Sequence, residues 1–191
     1  MFPSTSIHRF VVCFLVALSG TYEGRCDETA DRLAKKYPVL ARLTPSKEEL
    51  PPKCQILEIP NDIPELKGLK NLAITVEPKH FLIADKQLQD IIDAKMVQAA
   101  YFAIYREGNE LGVMGWAFAS AEDAKVTHQK LSETYGKDQE RFRLWQVDQH
   151  VVWLWRDSGT SNSCFESFER FLNAKLKKPE ASSGNQTSGN K

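Results

Sequence analysis

The chain has 191 residues, in which 25 Lys and Arg balance 25 Asp and Glu, and 42% of positions are hydrophobic. That length is typical of one domain, and the apolar content is sufficient for a core. Zero formal charge argues against a protein built to hold nucleic-acid phosphates, which needs a basic surplus, and against a polybasic membrane-surface protein.

The N-terminal stretch reads as an address. His8 and Arg9 precede an apolar run from Phe10 to Leu18, and the small residues Ala17, Ser19 and Gly20 follow. A positive start, an apolar middle and a small-residue end are the parts of a secretory signal peptide. The run is shorter than the roughly 20 apolar residues of a membrane span. The expectation is therefore a signal over residues 1–19, cleaved after Ser19, and a secreted or periplasmic mature protein with no membrane contact of its own. Cleavage removes Cys13 and leaves Cys26, Cys54 and Cys164 in an oxidising compartment, where pairing is expected. Cys26 with Cys54 is the preferred disulfide. Cys164 is then left over, and packs as a small apolar residue.

Residues 27–37 have acids first, bases last and Pro38 at the end, which predicts a helix. Residues 44–52 contain a short turn broken by prolines. Residues 54–59 and 71–76 alternate as short strands, and 85–96 carry an apolar stripe of Leu88, Ile91 and Ile92 at helical spacing. The second half is more sharply patterned. Residues 98–106 and 111–119 form a hairpin across Glu107-Gly108-Asn109-Glu110. Ser120 caps a helix over 121–135 that stops at Gly136. Residues 141–147 and 150–156 form a second hairpin. A Ser/Asn-rich loop then leads into a last helix, 164–176, with Phe165, Phe168, Leu172 and Leu176 on one side.

The order ββα-ββα predicts an α+β fold: an antiparallel four-stranded sheet over 98–176 with its helices on one face. This is similar to a permuted ferredoxin-like sandwich, a likeness that rests on element order alone. Residues 26–97 are expected to pack on it as a mixed N-terminal extension, and 177–191 to form a disordered tail. Asn185-Gln186-Thr187 in that tail matches a glycosylation acceptor.

Trp116, Trp145, Trp153 and Trp155 all fall on predicted strands. With helices on one face only, the other would carry an aromatic patch that should not stay wet. Three fates compete for it. Residues 27–96 fold over it and the tryptophans are core; two copies pair as a homodimer; or the aromatics line a pocket for an apolar or planar ligand or for sugar stacking, with His128, His150 or Cys164 as its polar group. No His pair has metal-ligand spacing, and neither a Gly-x-Ser-x-Gly elbow nor a phosphate-binding glycine loop occurs. Neither metal nor cofactor is expected, and no catalytic residue is assigned. The expected function is a binding or self-associating module acting on a protein partner. A small extracytoplasmic enzyme or ligand carrier with an aromatic-lined pocket is the alternative.

Overall fold

A computed structural model describes residues 28–59, 66–81 and 86–177. Those residues form an α+β fold with an open antiparallel sheet. The expected signal peptide, Cys26 and the tail from residue 178 lie outside the described residues.

Helix α1 (Glu28–Lys36) stops at Tyr37, and Pro38 starts the short α2 (Pro38–Ala41) at a position where its missing N–H costs nothing. Two short strands follow, β1 (Gln55–Ile56) and β2 (Ala73–Thr75), then helix α3 (Lys86–Ile91). The long hairpin is β3 (Val97–Glu107) and β4 (Asn109–Phe118), turned at Gly108 with φ 78. Helix α4 (Ala121–Tyr135) is capped by Ser120, whose Oγ accepts the Asp123 N–H at 3.1 Å. Strands β5 (Phe142–Val147) and β6 (His150–Arg156) form the second hairpin, and α5 (Asn162–Leu176) is capped by Ser161. The element order of the second half is the expected one.

Two expectations about the sheet need correction. It has six strands rather than four: its order is β1-β3-β4-β6-β5, with β2 also on β3. Its helices cover both faces rather than one. On the first face Tyr101, Tyr105, Val113, Ala117, Val152 and Leu154 pack against α2 and α5. On the second, Phe102, Met114, Trp116, Phe118, Val151 and Trp153 pack against α3, α4 and the segment around Leu66, Leu69 and Phe81. The reason lies in β3 and β4 themselves. From Leu111 to Phe118 every residue of β4 is buried, the pattern of a strand covered on both sides rather than of an alternating half-exposed one. The small residues on the first face are the seat for helices: a Cβ added at Gly115 would lie 2.7 Å from Leu43 Cδ1 and 2.9 Å from Leu40 Cδ2. A shift of register between Val97 and Ala99 turns Val97 onto the second face.

Candidate functional site

The tryptophans named from the sequence separate by role. Trp116 is wholly buried, and its Nε1 donates to the Phe81 carbonyl at 2.7 Å. Trp153 is 5% exposed, stacks on Phe142 (5.6 Å between ring centroids) and meets Tyr135 at a tilt (5.2 Å). Half-buried Trp155 lies across the sheet on Gly112, where an added Cβ would come within 2.4 Å of the indole. Half-buried Trp145 is on the opposite face, its Nε1 donating to Asn173 Oδ1 of α5 at 2.9 Å. The four side chains therefore do not line one cavity. Trp116, Trp153 and Trp155 belong to the second-face core and Trp145 to the first.

The polar groups nearest this aromatic core hold the backbone. His150 is buried, with Nδ1 3.3 Å from the Val147 carbonyl, and burial holds its pKa below the ordinary 6.5. His80, also buried, bridges Thr75 Oγ1 and the Lys67 carbonyl, both at 3.2 Å. At the end of the sheet a shallow depression of about 330 Å³ includes Arg143, Arg156 and Phe165. Both guanidiniums sit over the Phe165 ring, at 5.1 and 4.7 Å. Arg143 is paired with Glu169 at 2.7 Å, and Arg156 donates to the Glu140 carbonyl at 2.6 Å and to Asn162 Oδ1 at 2.6 Å. Among the described residues no group of three or more His, Cys, Asp or Glu could hold a metal ion, and no helix is long and apolar enough to cross a membrane.

The two edges of the sheet are built differently. The outer edge of β3 is closed along most of its length. Strand β2 pairs with Ala100–Phe102 and β1 with Tyr105–Arg106. The gap between them is filled by the Leu57 N–H, which donates to the Ile104 carbonyl at 3.1 Å, and by one side chain. Asn71 Oδ1 accepts the Ile104 N–H at 2.9 Å, and Asn71 Nδ2 donates to the Ile104 carbonyl at 2.8 Å and to the Leu57 carbonyl at 2.6 Å. The amide thus stands in for a missing strand residue. Leu72, held at φ 58, completes the arrangement by donating its own N–H to Asn71 Oδ1 at 2.9 Å. A left-handed φ is unfavourable for leucine, so these hydrogen bonds hold the turn against its backbone preference.

At the other edge, β5 pairs with β6 alone among the described residues. Val147 and His150 flank the two-residue turn Asp148-Gln149, and in antiparallel alternation every second residue of β5 then bonds to β6. Arg141 continues that phase, its carbonyl accepting the Arg156 N–H at 3.1 Å. Leu144 and Gln146 are in the opposite phase and turn their N–H and C=O groups outward. The strand is held from both faces: Arg143 and Trp145 reach Glu169 and Asn173 of α5, while the Phe142 ring meets Tyr135 of α4 at 5.1 Å between centroids. The edge is therefore rigid, apolar at Phe142 and Leu144, and open in its hydrogen bonding at two residues. Neither edge was singled out from the sequence. The signal available for β5 was its place outside both hairpins' inner strands, together with the lack of proline in FRLWQV.

Comparison with models of known protein families, with curated proteins and with solved structures finds nothing that this chain matches.

Proposed function

We propose that this chain is an exported binding module that works by strand addition at β5, and that its partner there is a second copy of itself. The outward-facing Leu144 and Gln146 on a strand paired along one side only carry this reading. An exposed strand edge is a template for another strand, with main-chain hydrogen bonds supplying affinity and side chains supplying register. Strand β5 is complementary to itself. In an antiparallel pairing centred on Leu144, Leu144 faces Leu144 of the second copy, Phe142 faces Gln146, and Arg143 faces Trp145. No like charges meet. Export is supported by the residues 1–19 pattern, and a binding role by the commitment of the tryptophans, His80, His150 and both sheet-end arginines to holding the fold.

Light scattering coupled to size-exclusion chromatography tests this reading. The chain should shift from monomer to dimer with rising concentration, and Gln146→Pro should remain monomeric because it removes an outward N–H without touching the β5–β6 ladder. A chain that is monomeric at every concentration, or a dimer that survives Gln146→Pro, would refute it.

A further inference from the structure

Two thiols that are 110 positions apart in the chain meet beside the closed edge of the sheet, Cys164 Sγ lying 3.8 Å from Cys54 Sγ. Cys54 ends the turn Pro51–Cys54, in which its N–H donates to the Pro51 carbonyl at 3.1 Å. Pro52 suits the second position of such a turn, whereas Lys53 is held at φ 70, a region costly for a residue with a Cβ. The pairing of β1 with Tyr105 and Arg106 immediately after it keeps the turn, and so the thiol, in place. Cys164 is fixed from the other side, in the first turn of α5, by its N–H bond to the Ser161 cap at 3.1 Å.

The two sulfurs differ in access. Cys164 is 1% exposed, whereas Cys54 is half-buried; the depression of about 350 Å³ beside them is lined by Lys53, Glu107, Ser163 and Cys164. They differ in acidity too. The Cys164 thiol donates toward Cys54 and holds the Cys54 pKa below its ordinary 9.0; the same contact, together with burial, pushes Cys164 up. A half-buried, more acidic thiol beside a fully buried, less acidic one is the arrangement of an attacking and a resolving cysteine.

We propose that Cys54 and Cys164 close an intrachain disulfide by exchange with a small disulfide oxidant of the glutathione class, tying the start of β1 to α5. The Cys54 thiolate attacks one sulfur of the oxidant; a Cys54–oxidant mixed disulfide forms and one thiolate leaves. Cys164 gives its proton to solvent and attacks Cys54 Sγ, so the intrachain S–S bond forms as the second thiolate departs. Two cysteine thiols are oxidised and one oxidant disulfide is reduced to two thiols, the two cysteine protons passing through solvent to the departing thiolates with no net release. The sulfurs are already in van der Waals contact. A bond length of about 2 Å then requires side-chain rotation and a small approach of the two backbones.

The test is to equilibrate the full chain in a buffer of oxidised and reduced glutathione, trap remaining thiols by alkylation, and map peptides without reduction. The expected product is a linked pair of peptides containing Cys54 and Cys164, with two fewer alkylated thiols per chain. Cys164→Ser should accumulate a stable glutathione adduct at Cys54, and Cys54→Ser should be modified at Cys164 at least about tenfold more slowly, in keeping with its lower thiolate fraction and access. Recovery of both thiols fully alkylated from the unsubstituted chain would overturn the proposal, as would linkage of Cys54 to Cys26, and neither outcome depends on the variants folding. The result is independent of association through β5, since the disulfide lies at the opposite side of the sheet.

Discussion

The sheet ends in two ways. Along β3, fragments that are too short to be called strands with any independence, two residues of β1 and three of β2, are joined by the Asn71 amide into a nearly continuous cover. Along β5 a six-residue strand is braced by helices on both faces but, among the described residues, has β6 as its sole neighbour in the plane of the sheet. A sheet edge is a liability unless it is covered, charged or used. The chain covers one edge with a segment that contributes little else to the sheet. The other edge is stiff rather than hidden, which is the condition under which strand addition is favourable, because little ordering remains to be done on binding.

Changing the closed edge should produce the largest effects. Oxidation of Cys54 and Cys164 closes a loop of 110 positions, and cross-links of that span stabilise by about 4–5 kcal/mol when native geometry is kept. The oxidised chain should therefore melt about 10 °C above the reduced one in differential scanning calorimetry. Asn71→Ala would remove the amide bridging Ile104 and Leu57 and leave the Ile104 N–H unpaired at a part-buried site, with the Ile104 carbonyl keeping only its bond from the Leu57 N–H. A loss of about 2–3 kcal/mol is expected in urea unfolding, with deuterium uptake rising over residues 55–57 and 73–75 before the rest of the sheet.

Changing the open edge should alter association more than stability. Gln146→Pro is expected to cost about 1 kcal/mol or less, since edge positions with outward N–H groups accept proline. It should nevertheless abolish the concentration-dependent dimer. The smallest effect concerns pH. Burial lowers the pKa of both His128 and His150 below the ordinary 6.5. The unfolded chain then takes up these protons more readily than the folded one. Their contribution to stability is present above pH 6.5 and is lost as pH falls through their folded values. A modest fall in melting temperature on going from pH 7.5 to about 5.5 should flatten in the double variant His128→Gln, His150→Gln.

Much of the second half was legible because local signals and tertiary structure agree there. The Ser120 cap and the Gly136 stop bound α4 at Ala121 and Tyr135, and the two-residue turn at Asp148-Gln149 sets β6 at His150–Arg156. The sidedness of the helices was not read from element order. The clue was present in LGVMGWAF, a run whose two alternating faces are both apolar, but it became decisive only once the small face was seen to seat Leu40 and Leu43 against Gly115. The closed edge left almost no periodic trace, because strands of two or three residues are too short to show alternation and the role of Asn71 is a matter of register across 33 positions. Cysteine pairing was unreadable for the same reason. Cys54 was expected at the start of a short strand and Cys164 at the start of the last helix, yet only the folding of β1 onto β3 brings the two sulfurs together.

Amide hydrogen exchange read residue by residue tests the asymmetry of the two edges most directly. At high dilution, Ile104 should be protected nearly to the level of global unfolding, while Leu144 and Gln146 exchange quickly; their protection should then rise with chain concentration, in step with the dimer. Protection of Leu144 and Gln146 equal to that of Ile104 at high dilution, or fast exchange at both in a chain that is fully dimeric, would contradict the account.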